Sequence, residues 1–169
     1  MSYPEFTLRG ADDSDIDFLE RIFAGAADWN PASARGEEHW RGDPMMAKYI
    51  GGWKRSDDFG FIVESHGEPA GAVWARYFDA ADPGYGFVDE ATPELTLGVL
   101  EGFRGEGVGR QLMQAAVDGA PANLSLSVED GNRAIRLYES FGFVPVGRVG
   151  SSTTMLWTPG MPSGSHPVD

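Results

Sequence analysis

The 169-residue chain contains no cysteine. That absence excludes disulfides, thiolate zinc sites, iron–sulfur clusters and any mechanism that passes through a cysteine thioester. Histidine is scarce as well: His39, His66 and His166 stand far apart, with no two at the i, i+4 spacing that gathers ligands on one helix face, so no metal site is expected. Positive charge is short, with 13 Lys plus Arg against 26 Asp plus Glu and a formal net charge of −13. This argues against nucleic acid as a partner, because binding a phosphate backbone needs a basic surface to displace counterions. The same excess favours solubility and permits a cationic substrate. Apolar runs fall far short of the roughly 20 residues that span a bilayer, so no membrane partner is expected. The opening MSYPEFTLRG lacks the basic start and apolar stretch of a secretory signal, and the expectation is a cytoplasmic protein.

What is present suits one ordinary domain, large enough to bury about two-thirds of its unfolded surface. Residues 1–158 are expected to form it, with 159–169, rich in Pro, Gly and Ser, as a flexible tail. EFTLRG reads as a first strand, and Asp12 to Asp15 supply N-caps for a helix carrying Ile16, Leu19 and Phe23 on one face. Residues 25–44 read as loop with irregular helix, and 45–54 as a second helix. Phe59–Glu64 and Ala70–Phe78 are β-rich runs joined by a short hairpin connection containing His66 and Gly67. The acidic, Gly- and Pro-rich stretch 79–93 is a loop with room for a short strand around Tyr85 to Val88. Glu94–Leu100 alternates as a strand, 102–109 is a glycine-dense turn, and Val108, Leu112, Ala115 and Ala116 share a helical face. Leu124-Ser125-Leu126-Ser127-Val128 has strict period two, and Asp130 or Asn132 can cap a helix running to Phe141, with Gly142 suited to its end. Two closing strands, 143–149 and 152–157, complete a mixed α/β sheet with helices on both faces.

The segment Arg104-Gly105-Glu106-Gly107-Val108-Gly109 joins a strand to a helix. The first helical turn leaves about four backbone N–H groups unpaired at the positive end of the helix dipole, and glycines let a phosphate come close to them. A pyrophosphate suits such a turn. The Walker pattern fails because Val108 stands where its lysine would be, and the dinucleotide fingerprint fails at Arg110.

Arg104, Gly107 and Gly109, in the order Arg, two residues, Gly, one residue, Gly, resemble the signature of the GNAT superfamily of acyl-CoA-dependent N-acyltransferases. The preceding strand PELTLGVL and following helix GVGRQLMQAAVDGA stand in the order that family requires. Downstream, LSLSVEDGNRAIRLYESFGFVPVG resembles the family's second motif, with Asn132, Tyr138, Gly142 and Phe143 at its marked positions. The resemblance spans Glu94 to Gly147. It implies a mostly antiparallel mixed sheet in which a central parallel pair, here Glu94–Leu100 and Leu124–Val128, splays to admit the pantetheine arm.

The same resemblance implies roles for individual residues. Leu97, Gly98 and Val99 would offer backbone groups to the cofactor arm, with room for close approach at Gly98 and an N–H near Val99 as oxyanion donor. The backbone of Arg104, Gly105, Glu106, Gly107, Val108 and Gly109 would take the pyrophosphate of acetyl-CoA, the expected acyl donor, while Arg104 and Arg110 add local positive charge. Tyr138 would be the general acid that protonates the leaving thiolate, set against a plain core role on the face it shares with Ala134 and Ile135. Asn132 serves as N-cap or cofactor contact. Glu94 is the first candidate for the base, or for positioning its water, ahead of Glu90 and Asp89. Substrate selection would fall to residues 25–44, to 79–93 and to the turn at Gly150, which hold Trp29, Trp40 and Tyr85. The expected activity is acetyl transfer from acetyl-CoA directly to a primary amine of a small molecule. The alternatives are acetylation of a protein amino group and a non-catalytic acyl-CoA-binding module. A homodimer is the oligomer considered.

Overall fold

A computed structural model describes residues 6–160. In chain order the elements are β1 (Phe6–Gly10), α1 (Ile16–Ala27), α2 (Glu37–Arg41), α3 (Pro44–Ile50), β2 (Phe59–Ser65), β3 (Glu68–Arg76), β4 (Glu94–Val99), α4 (Val108–Gly119), β5 (Leu124–Glu129), α5 (Ala134–Ser140), β6 (Val144–Val149) and β7 (Ser152–Trp157). The strands hydrogen-bond in the order β1-β2-β3-β4-β5-β7-β6. The central β4–β5 pair is parallel, while the β1–β2, β2–β3, β5–β7 and β6–β7 ladders are antiparallel. This is the expected mixed, mostly antiparallel α/β sheet, with helices around it. The parallel pair registers at one position, Glu94 opposite Ser125. Of the expected tail, residues 161–169 lie outside the described residues. The chain divides into two compact units, one holding residues up to Ala75 and Thr96–Ala116, the other Arg76–Leu95 and residues from Val117 onward.

In the first unit, the aspartates before α1 cap the short 3-10 turn, Asp13–Asp15, that leads into it, and not α1 itself, whose N-cap Asp15 makes no side-chain capping bond to the helix. Asp12 accepts from the Ser14 N–H at 2.9 Å, and Asp15 accepts from the Asp12 N–H at 2.8 Å, a reciprocal pair that satisfies two donors left over at the start of that turn. Arg9 then grips the Asp15 carboxylate with both terminal nitrogens, at 2.8 and 2.7 Å, and holds it below the usual carboxylate range through those hydrogen bonds. α1 buries Leu19, Ile22, Phe23 and Ala24. The helix expected over 45–54 ends at Ile50, because the Gly51 N–H closes back on the Ala47 carbonyl at 2.7 Å and Gly52 adopts φ 71°. The β2–β3 turn consists of His66 and Gly67 alone, with φ 51° and 81°. Two left-handed residues match the twist of a two-residue hairpin, so β3 starts at Glu68, two residues before the expected Ala70.

In the second unit, β7 lies between β5 and β6, and Leu124, Leu126, Val128, Phe141, Phe143, Met155 and Trp157 form the core. α5 stops at a paired C-terminal motif: the Gly142 N–H donates to the Glu139 carbonyl at 3.0 Å, and the Phe143 N–H to that of Tyr138 at 3.2 Å. Gly142 at φ 96° makes the reversal. The strand considered at Tyr85 to Val88 is not formed. The segment is a turn in which the Phe87 N–H donates to the Gly84 carbonyl at 3.2 Å, and the Gly86 N–H is spent on a side chain.

Candidate active site

β4, whose first two residues belong to the second unit and the rest to the first, carries a gradient of exposure. Leu95 is buried, whereas Thr96, Leu97, Gly98 and Val99 are half-buried, leaving part of this strand accessible. Its far end pairs with β3 through the Leu100 N–H, which donates to the Ala70 carbonyl at 2.8 Å. Gly98 has a local reason to be glycine that differs from the expected one. A Cβ there would stand 2.6 Å from Cγ2 of Ile22, so the missing side chain makes room for α1.

After β4 comes the glycine turn. Gly105 and Gly107 hold φ 80° and 85°, a region that L side chains rarely enter. A Cβ built at either would meet nothing within 4 Å, so conformation, and not crowding, demands glycine, and the concave side stays open. The turn leads into α4, where the Gln111 N–H donates to the Gly107 carbonyl at 3.0 Å. The N–H groups at the start of an α-helix lie at the positive end of its dipole and point out of the helix end. An open, left-handed glycine cradle feeding a twelve-residue helix fits an anionic phosphate group. Both expected cations flank it, exposed. Arg104 reaches back, its Nε donating to the Val99 carbonyl at 3.2 Å, which ties the cradle to the end of β4.

In the second unit, Tyr138 is 8% exposed and its ring centroid stands 6.2 Å from that of Phe143. The hydrophobic partner that commonly accompanies the helix-ending motif at Gly142 is this same ring, so the Gly-Phe step fixes the tyrosine's place on α5. Burial pushes its phenol up to about 12, because a phenolate is poorly solvated in the interior. The group keeps its proton throughout the neutral range. Asn132 acts as a cap: its Oδ1 accepts from the Ala134 N–H at 3.0 Å. Val128, Asp130, Asn132, Ile135, Arg136 and Thr153 line a cleft of about 270 Å³ at this corner. Arg148 forms a two-pronged ion pair with Asp130, at 3.1 and 2.7 Å, and this holds the Asp130 carboxyl below its ordinary range.

Glu94 opens β4 from a buried position, 3% exposed, and its Oε1 accepts from the Gly86 N–H at 3.0 Å. Its register partner Ser125 is fully buried, with an Oγ that has no hydrogen-bond partner among the described residues. Neither Gly86 nor Ser125 stood out in the sequence. Gly86 is one of several loop glycines, and the alternation of 124–128 reads as one apolar and one solvated face, whereas Ser125 is buried. Of the aromatic residues considered for substrate contact, Trp40 packs edge-on against Phe23 at 6.0 Å and donates its Nε1–H to Asp28 at 2.9 Å, while Tyr85 is 46% exposed.

A mixed, mostly antiparallel sheet with a central parallel pair and a strand leading through an open glycine turn into a helix is the architecture of an acyl-CoA-dependent acyltransferase. The model of the acetyltransferase (GNAT) family matches residues 19–143, about three-quarters of the chain. The chain belongs to that family and is an acetyltransferase, an enzyme whose acyl donor is acetyl-CoA. No curated protein sequence matches it. Among solved structures, it is similar to a ribosomal-protein-alanine N-acetyltransferase from Brucella melitensis, with 23% identity and TM-score 0.61 over 90% of this chain and 99% of that one. It is also similar to yncA from Salmonella typhimurium, solved with its cofactor acetyl-CoA, with 20% identity and TM-score 0.66 over 97% and 99%. A third is the paia N-acetyltransferase from Thermoplasma acidophilum in complex with coenzyme A, with 15% identity and TM-score 0.64 over 91% and 99%. These likenesses establish the fold. Among the described residues, no helix is long and apolar enough to cross a membrane.

Proposed function

We propose that the enzyme transfers the acetyl group of acetyl-CoA directly to a primary amine of a small molecule, with Tyr138 as general acid and Glu94 as proton acceptor. The observation that carries this reading is the buried, protonated phenol of Tyr138. In the reaction, the amine nitrogen gives up a proton toward Glu94, directly or through water, and attacks the thioester carbonyl carbon. A C–N bond forms, the C–S bond breaks, and the Tyr138 proton passes to the departing sulfur. The acceptor enters as an ammonium, so its nitrogen releases two protons in all: the first stays on Glu94 until it passes to water, the second returns to the tyrosinate, and the step balances as amide, free thiol and one proton. The backbone of residues 104–109 holds the donor's pyrophosphate, with Arg104 and Arg110 supplying charge on an otherwise acidic protein. Leu97, Gly98 and Val99 present backbone groups to the donor's arm, an N–H near Val99 polarising the carbonyl. The excess carboxylates of the chain favour a cationic acceptor. The enzyme works in the cytoplasm.

A second reading, acetylation of a protein amino group, draws support from the likeness to the Brucella enzyme. Free-thiol release from acetyl-CoA across amino acids, polyamines, aminoglycosides and a peptide with N-terminal alanine separates the two. Turnover of the peptide alone overturns the small-molecule reading. Tyr138→Phe is expected to lower kcat by about 100-fold or more, the usual contribution of a positioned acid, with acetyl-CoA affinity nearly unchanged. Unaltered turnover would remove Tyr138 from the mechanism.

A further inference from the structure

The loop between β3 and β4 meets β5 backbone to backbone at one glycine. A Cβ on Gly86 would stand 2.6 Å from the carbonyl carbon of Leu126, 2.8 Å from its oxygen and 2.8 Å from the Ser127 nitrogen. All three are main-chain atoms of a strand paired along its length with β7, so they cannot turn aside as a flexible side chain would. The φ of Gly86 lies outside the left-handed region, and close contact is therefore the whole reason for glycine here.

The same residue holds the Glu94 carboxylate. Its N–H donates to Oε1 at 3.0 Å in a buried bond. The main chain around Glu94 is fixed separately, by its register with Ser125 and by the Ser125 N–H donating to the Pro93 carbonyl at 3.0 Å. Register partners on paired strands project to the same face, so the Ser125 hydroxyl stands alongside the Glu94 side chain. That hydroxyl nevertheless has no partner among the described residues. The loop amide donates to the carboxylate, so the depth at which the loop sits on β5 bears on where Oε1 lies.

We propose that Gly86 is a positioning residue for proton removal: lacking a side chain, it seats the 79–93 loop low enough on β5 for its N–H to hold the Glu94 carboxylate in the orientation that receives the amine proton. This rests on the reading of Glu94 as proton acceptor. Tyr85, exposed and next in sequence, makes the acceptor-facing loop and the base one mechanical unit, because any displacement at residue 85 is passed to residue 86.

The test is a double-mutant cycle between Gly86→Ala and Glu94→Gln, read by thiol release from acetyl-CoA with the best amine of the panel, alongside thermal unfolding of each variant. Gly86→Ala is expected to lower kcat about tenfold or more, as sub-ångström to ångström misplacement of a reacting group does, while KM for acetyl-CoA stays within about twofold. In the Glu94→Gln background, the same change is expected to alter kcat by less than about twofold, because there is no longer a base to position. Full multiplication of the two effects, or wild-type kcat in Gly86→Ala, overturns the proposal. Glu94→Asp answers the same question if the alanine variant folds poorly: shortened by one methylene, the carboxylate keeps its basicity but loses the reach to Gly86, and wild-type kcat in this variant also overturns the proposal. Unimpaired turnover in Glu94→Gln removes Glu94 itself as the base. An impaired Glu94→Gln with an unaffected Gly86→Ala removes the positioning role alone.

Discussion

Gly98→Ala separates two reasons for a glycine in the strand expected to meet the cofactor. A Cβ at residue 98 would lie 2.6 Å from Ile22 Cγ2 and 3.3 Å from the Ile22 carbonyl oxygen. Carbon atoms in good contact sit about 3.5–4.0 Å apart, so the new methyl overlaps Ile22 by about 1 Å. Ile22 is 2% exposed and its γ-methyl is attached at the branch point, so a change of rotamer is restricted. Overpacking of this kind costs about 1–3 kcal/mol, against a gain of about 0.5–1 kcal/mol from replacing a strand glycine. The net expectation is a loss of about 1–2 kcal/mol in urea unfolding. Ile22→Ala alone is expected to cost about 2–5 kcal/mol, the range for emptying a buried aliphatic site. The double variant should lose less than the sum by about 1–2 kcal/mol, because the alanine methyl enters space that Ile22 vacates. Strict additivity, or a Gly98→Ala protein of wild-type stability whose acetyl-CoA affinity has collapsed, would refute the argument and return the glycine to the cofactor.

Gly142→Ala forces a side chain to φ 96° at the end of α5 and should destabilise by about 1–2 kcal/mol, measured by denaturant titration, with Gly142→Asn costing less because asparagine tolerates the left-handed region better. Tyr138 links stability to alkaline pH: its phenol ionises near 10 in the unfolded chain and at about 12 in the folded one. Ionisation therefore favours unfolding; the contribution is complete below pH 10 and is lost as pH rises toward 12. It amounts to about 2–3 kcal/mol at most, and Tyr138→Phe should flatten this part of the stability profile.

Much of the architecture is legible in local pattern. Period-two runs mark β4 and β5, and the aspartates before Ile16 and the glycine after Phe141 mark helix ends whose hydrogen bonds form as the residue types require. The glycine turn is legible for the same reason, since residues in left-handed conformation select glycine whatever surrounds them. Boundaries set by longer reach are less so. The helix after Pro44 is cut short by Gly51 and Gly52, and the turn at residues 84–87 uses backbone groups that a sequence pattern assigns equally well to a strand.

The sequence by itself determined most of the sheet-and-helix order and the phosphate-suited turn, because each depends on residues adjacent in the chain or spaced by one helical period. Only the tertiary structure decided that Gly98 makes room for Ile22, that Gly86 lies against the backbone of β5 while holding Glu94, that Ser125 is buried, and that Tyr138 is desolvated enough to keep its proton to about pH 12. Those facts arise from contacts between residues far apart in sequence. Desolvation and close approach are properties of the surroundings, and no residue carries them in its own identity.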